Sequence, residues 1–212
     1  MRFDHFLNSI ELFQSLPLPG VESHDAILPE MTRQRSAALK RDKQPKISAV
    51  AATLFPKKDE AHLLLIERQS YDGVHSNQVG FPGGKVEEED ENLKATSLRE
   101  MEEEVGVDRE APRFIRELSE VYIPPSRFLV HPFCYWLPEK PLIRKDEREV
   151  KEVIELPLSV LMNDDHLVVG KIKMSNGISI NTPYFAFNGY KIWGATAMML
   201  SEMRQLFKAI HP

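Results

Sequence analysis

Four glutamates stand in the run Arg99-Glu100-Met101-Glu102-Glu103-Glu104-Val105-Gly106, and three of them share a spacing that matters. At about 100° per residue, with Leu98 as zero, Ala95, Leu98, Met101 and Val105 gather within about 60° of one direction, while Glu100, Glu103 and Glu104 fall at roughly 200°, 140° and 240°. The spacing predicts a helix over 92–105 with the three carboxylates on one exposed face opposite the apolar stripe. Like charges at i,i+3 and i,i+4 repel by about 0.2–0.5 kcal/mol each, so a helix built for stability alone would set Lys or Arg among them. A cation is the expected partner. Hard divalent ions such as Mg²⁺ or Mn²⁺ take carboxylate oxygens, water and phosphate oxygens, and three glutamates on one face can supply such a site. Gly106 suits the left-handed residue that ends a helix.

The elements around this helix must hold it against something the ion can act on. Gly83 and Gly84 follow Pro82 and let the backbone come close to a ligand or ion, where a Cβ would stand in the way. The loop over 84–90 would then bring a main-chain carbonyl beside the carboxylate face. Asp90 or Glu91 is expected to pair with the Arg99 guanidinium and brace that loop against the helix, and the spacing leaves both open.

Composition sets the frame. The chain has 212 residues, 42% hydrophobic and 28% charged, with a net charge of −5 and one cysteine. That apolar content supports one full core and excludes a disordered polymer. Lone Cys134 excludes an internal disulfide and any thiolate cluster, leaving oxygen or imidazole to hold a metal. No long apolar run or secretory leader occurs, so a soluble, cytoplasmic protein is expected, with no membrane and no nucleic acid as partner. The charge is unevenly placed. Residues 85–110 hold eleven acidic and four basic side chains, so the rest of the chain is slightly basic. By charge counting alone such a block reads as a solvated helix face; its spacing is what argues otherwise.

A short amphipathic helix is expected over 3–13, ended by Leu16-Pro17-Leu18-Pro19-Gly20. Residues 21–46 show no clear period and read as a linker or a second short helix. Arg33, Arg35, Lys40, Arg41, Lys43 and Lys46 make that stretch basic. Strands are expected over 47–55 and 62–67, joined as a hairpin, and over 114–122, 128–137, 151–156 and 178–193, the last with a turn at Asn188-Gly189. An apolar helix opens near Gly194 and runs to about Ile210, with Thr196 as its expected N-cap. Interleaved strands and helices give an α/β or α+β class with a mixed sheet. The expected division is an N-terminal extension over 1–45 and a main domain over 46–212.

Gly84, then Asp90 or Glu91, then Arg99-Glu100-Met101-Glu102-Glu103-Glu104-Val105-Gly106-Val107 resembles the Nudix box, the loop-helix signature of hydrolases that cleave a nucleoside diphosphate linked to another moiety. The Arg-Glu half matches at every specified position, and the chain has one residue more than the usual box between glycine and arginine. Just upstream, Arg68, His75, Gln78-Val79 and Phe81-Pro82-Gly83-Gly84 resemble the element preceding the box in Nudix coenzyme A pyrophosphatases, with Gln69 and Asn77 departing from that pattern. The segments Tyr122-Ile123-Pro124-Pro125-Ser126-Arg127-Phe128 and Ile192-Trp193-Gly194-Ala195-Thr196-Ala197 are similar to that subgroup as well.

The resemblance implies an α/β/α sandwich around a mixed central β-sheet and hydrolysis of the diphosphate of coenzyme A or its derivatives, giving 3′,5′-ADP and 4′-phosphopantetheine. It implies Mg²⁺ or Mn²⁺ on Glu100, Glu103, Glu104 and the Gly84 carbonyl. It implies chemical roles for Glu103, Arg99 and Glu149, the last as a general base for which Glu152 is the other candidate. Substrate contacts are implied at Arg68, His75, Phe81 and Arg127. A homodimer is implied by resemblance only. The alternatives are a Nudix pyrophosphatase for ADP-ribose or NADH and a Nudix module that senses a nucleotide without cleaving it.

Other chemistries find no support. Lys85 follows two glycines, but Val86 is neither Ser nor Thr, so a Walker-type loop fails. No Gly-x-Ser-x-Gly elbow occurs, and the seven histidines lack zinc-ligand spacing. Cys134 reads as a buried inert thiol, and Trp193 and Phe128 read as core aromatics, with stacking on adenine as the other reading.

Overall fold

The structure is a computed structural model and describes residues 1–28, 44–69, 78–173 and 177–211. Strands β1 (Lys46–Lys57) and β2 (Glu60–Arg68) form the expected hairpin. Their turn is Lys58-Asp59, both at positive φ (48° and 63°), a two-residue form whose twist matches that of the flanking strands. Strand β7 (Phe128–Trp136) runs parallel beside β1, from Lys46 opposite Phe128 to Leu54 opposite Trp136. The other pairings are antiparallel: β3 (Val79–Gly80) and β8 (Val150–Pro157) with β2, β4 (Gly83–Lys85) with β1, and β5 (Arg113–Glu117) and β6 (Val121–Ile123) with β7. Together they make an eight-stranded mixed sheet. A separate three-stranded sheet holds β9 (Leu167–Lys173), β10 (Ser179–Phe187) and β11 (Tyr190–Ile192).

The large sheet is covered on both faces, which is why β1 and β2 read as nearly continuous apolar runs. Ala52 and Leu54 of β1 and Leu63 and Leu65 of β2 join one core with helices α1 (Phe3–Ser15) and α5 (Gly194–Ile210). Ala49, Ala51 and Phe55 with Leu64 and Ile66 join the other, against Met101 and Val105 of α3 (Leu93–Val105). Phe6 and Phe13 bring α1 onto Phe207 of α5, with ring centroids 6.1 and 4.7 Å apart. Fully burying such a ring contributes about 1.5–3 kcal/mol. Two short helices, α2 (Val21–Asp25) and α4 (Leu158–Met162), complete the layers. The fold is therefore the expected α+β sandwich with a mixed central sheet. Among the described residues, no helix is long and apolar enough to cross a membrane.

Four expectations need correction or completion. The strand expected over 114–122 is two strands, because Pro132 of β7 has no N–H to give the ladder and the Ser119 N–H turns instead to Glu202 Oε2 (3.0 Å). Strand β9 escapes the sequence reading because only Ile172 in it is buried. Thr196 does not cap α5. Trp193 holds the N-cap position without a side-chain bond, and the Thr196 hydroxyl donates to the Val79 carbonyl at 2.9 Å, tying α5 to β3. The 21–46 segment contains α2, while residues 29–43, with Arg33, Arg35, Lys40, Arg41 and Lys43, lie outside the described residues.

Candidate active site

Helix α3 forms where its local signals place it. The Asn92 side chain accepts the Ala95 N–H at 3.0 Å, and Gly106 ends the helix at φ 71°. Its buried arc is wider than its apolar stripe, and Glu104 lies inside it. The expectation of three carboxylates on an exposed face is corrected here, since Glu104 is only 1% exposed. Segments remote in sequence enclose it. Glu104 Oε2 accepts the Gly83 N–H at 2.9 Å, and Oε1 sits 3.0 Å from Arg68 Nη1. That approach is an ion pair without hydrogen-bond geometry, so Oε1 is a buried oxygen with no hydrogen-bond partner. Burial pushes the Glu104 carboxyl up to about 7, against the pull of Arg68 and the Gly83 N–H. Burial also raises Glu100, against the opposing pull of Arg99.

Gly83 and Gly84 earn their place by different contacts. A Cβ on Gly83, whose φ is 153°, would lie 2.4 Å from the Ala49 carbonyl oxygen and 2.6 Å from Val50 Cα. A Cβ on Gly84 would lie 2.4 Å from each carboxylate oxygen of Glu100. The first glycine lets β4 lie on β1, and the second leaves room for the Glu100 carboxylate. The Arg68 guanidinium also donates from Nη2 to the Gly83 carbonyl, so one side chain holds both β4 and Glu104.

Arg99 is the hub of the adjoining loop. Its Nε and Nη2 donate to Asp90 Oδ1 and Oδ2 at 2.9 and 3.0 Å, and Nη2 reaches the Lys85 carbonyl at 3.2 Å. Its Nη1 donates to Glu100 Oε1 at 3.1 Å and Glu103 Oε2 at 3.0 Å. The brace left open between two residues is thus Asp90, while Glu91 is exposed. The Arg99 side chain holds the Asp90 carboxyl well below its ordinary value of 3.8. A folded-state value below the unfolded one adds stability that is fully present above about pH 4 and is lost as pH falls toward the folded value. Asp90→Ala should therefore cost about 3 kcal/mol near pH 7, by leaving the Nε and Nη2 edge of a buried guanidinium without its carboxylate. In urea melts at several pH values, the gap between wild type and variant should narrow below pH 4; a gap independent of pH would contradict this account.

Arg68, Gly83, Gly84, Glu100 and Glu149 line one end of a cavity of about 430 Å³. Its other walls include Val50, Ile123, Phe128, Trp193 and Met199. Phe128 and Trp193, read from sequence as core aromatics with adenine stacking as the other reading, are half-buried and face this space. Phe81 also lines it and is almost fully buried, whereas Arg127 sits exposed on the β6–β7 turn at φ 59° and is not among the lining residues. His75 lies outside the described residues. Glu149 is exposed at the cavity edge, and its charge reaches Glu104. Glu103 is held by Arg99 and is more than half exposed. No linear spacing marks Val50, Ile123 or Met199 as walls, because three separate segments bring them together.

Hard dications fit this corner. A buried Glu104 oxygen without a hydrogen-bond partner, the Glu100 carboxylate, and a glycine backbone with no Cβ in the way are oxygen donors of the kind they take. Among the described residues, no three acidic, imidazole or thiol side chains already converge as a complete cage. The corner offers two carboxylates and backbone, the incomplete donor set that suits an ion completed by water and phosphate oxygens.

Residues 45–174 match the NUDIX domain. A protein called uncharacterized Nudix hydrolase NudL from Enterobacter sp. (strain 638) is 30% identical over 186 residues, covering 86% of this chain and 96% of that relative. The protein of the same name from Photorhabdus laumondii is 30% identical over 160 residues, covering 73% and 83%. Among solved structures, a MutT/nudix family protein from Enterococcus faecalis superposes with a TM-score of 0.52 at 17% identity, over 84% of this chain and 68% of that one. The chain belongs to the Nudix family. It is a pyrophosphohydrolase of that family, a class that acts on nucleoside diphosphate derivatives with divalent metal ions.

Proposed function

We propose that this enzyme hydrolyses the diphosphate of coenzyme A or its thioesters, using Mg²⁺ or Mn²⁺ and releasing 3′,5′-ADP and 4′-phosphopantetheine or its acyl form. The observation that carries the reading is the position of Arg68. It belongs to the stretch that resembles coenzyme A pyrophosphatases, and its guanidinium touches both Glu104 and the Gly83 carbonyl. The subgroup-like segment is thereby joined to the carboxylate corner. A cavity of about 430 Å³ with largely apolar walls suits a substrate carrying adenine on one side of its diphosphate and an uncharged arm on the other.

Glu100, Glu104 and the Gly84 carbonyl would hold the metal, with Glu103 beside them; when bound, it supplies charge neutralisation for the diphosphate and activation of the attacking water. Arg68 orients Glu104, and Arg99 pins Glu100 and Glu103, which makes both arginines positioning residues. Glu149, exposed at the cavity edge, is the proton acceptor in this reading. His75, Phe81 and Arg127 remain assigned to substrate by resemblance. The first turn of α5, at Gly194 and Ala195, lines the cavity and presents the positive end of the helix dipole to an anionic substrate. Residues 46–212 carry the hydrolase, 1–45 are an extension whose α1 packs on α5, and the working unit is a homodimer.

The test is a panel of coenzyme A, acetyl-coenzyme A, ADP-ribose and NADH assayed with each metal. The highest kcat/KM is expected for coenzyme A or its thioester. Fast cleavage of ADP-ribose or NADH with coenzyme A untouched would move the enzyme to another Nudix substrate. Tight nucleotide binding with no product from either metal would make it a sensor.

A further inference from the structure

The floor of the cavity is one face of the sheet, and its strand pairings show what lies at the far end. Side chains of β1 alternate between faces. Ser48 and Val50 both line the cavity, so Lys46 ends the same row. On one side Lys85 pairs with Ser48 and Gly83 with Val50. On the other, Phe128 pairs with Lys46 and Val130 with Ser48. Lys85, Phe128 and Val130 all line the cavity. The Lys46 ammonium lies 5.5 Å from the centre of the Phe128 ring, which keeps it at the cavity mouth. Both lysines are exposed, and among the described residues neither ammonium has a carboxylate partner.

Going down this floor, the chemistry changes in order. The glycine and carboxylate corner stands beside Val50. Phe128 offers an aromatic face further along. Lys46 lies about 13 Å from Val50, four residues at about 3.3 Å each, and Lys85 stands between them. One ammonium group beside an aromatic wall, at the end away from the metal corner, and a second midway along the same floor match a nucleotide with a further phosphate on its ribose.

We propose that Lys46 and Lys85 bind a third phosphate of the substrate, the one carried on the ribose, and so select ribose-phosphorylated nucleoside diphosphates over unphosphorylated ones. This rests on the coenzyme A reading above. The lysines do not touch the scissile diphosphate in this arrangement; they set affinity and choice of substrate.

The experiment compares kcat/KM for coenzyme A and 3′-dephospho-coenzyme A in wild type, in Lys46→Ala, in Lys85→Ala, in the double alanine variant, and in the Lys46→Arg/Lys85→Arg pair. Charge-assisted bonds to a phosphate correspond to about ten- to hundredfold in binding. Wild type should prefer coenzyme A by at least about tenfold, mainly through KM. The double alanine variant should bring the preference to within about twofold, each single variant should fall between, and the arginine pair should keep it. If wild type cleaves coenzyme A but shows no preference, or the double alanine variant keeps the full preference, the phosphate site is refuted while the proposed function stands. If wild type cleaves neither compound, the proposed function fails and the phosphate site with it.

Discussion

Glu104→Gln is expected to lower hydrolysis by about a thousandfold or more while leaving the protein folded, because a metal ion at such a site supplies several kcal/mol of transition-state stabilisation. Glutamine keeps an oxygen to accept the Gly83 N–H, the bond that joins α3 to β4. It removes the charge that faces Arg68 and, on the proposed assignment, the metal. Two stability effects oppose each other. Arg68 loses its carboxylate, but a group whose ionised form is disfavoured by burial is replaced by a neutral one. The net change should stay within about 1 kcal/mol, since Arg68 is partly open to water and keeps its bond to the Gly83 carbonyl. Thermal melts with and without Mn²⁺ separate the effects: wild type should gain stability from the ion and the variant should not. A variant with full activity and an undiminished response to metal would remove Glu104 from the site.

Gly84→Ala should be nearly as damaging to turnover, by about a hundredfold or more, and for a reason its neighbour does not share. The added methyl would lie 2.4 Å from both Glu100 oxygens, so the carboxylate must swing away from the corner. The Glu100 carboxylate is the far end of a flexible chain, so the fold can give way there cheaply and the cost appears in metal affinity and kcat/KM. Gly83→Ala meets backbone instead, at the Ala49 carbonyl and Val50 Cα, in a conformation that side-chain-bearing residues rarely adopt. Its expected cost is stability, about 3 kcal/mol or more. Activity assays and chemical denaturation of the two variants side by side should therefore show opposite profiles. Equal destabilisation by both, or an active Gly84→Ala enzyme, would contradict the assigned contacts.

The parts of this account legible in sequence are those whose signals are local. Asn92 and Gly106 bracket α3 by capping chemistry alone, and the runs in β1 and β2 announce strands buried on both faces. The burial of Glu104 was hidden because a helical wheel records only the helix's own side chains, whereas Arg68 and the Gly83 N–H come from other strands. The choice between Asp90 and Glu91 likewise depended on where the loop turned, not on counting. In sequence Lys46 reads as the tail of a basic stretch; the register of β1 with β4 and β7 sets it in the same row as Ser48 and Val50. Pro132 was visible from the start, yet its effect, the split into β5 and β6, needed the identity of the neighbouring strands.

The most direct test of the central claim is hydrolysis of coenzyme A in ¹⁸O-labelled water, with products identified by mass spectrometry in the presence of Mg²⁺ or Mn²⁺ and again after chelation. The expected result is 3′,5′-ADP and 4′-phosphopantetheine, one of them carrying a single ¹⁸O on its phosphate, with turnover lost on chelation and restored by the metal. Intact coenzyme A under all these conditions, or cleavage that continues undiminished after the metal is removed, would contradict it.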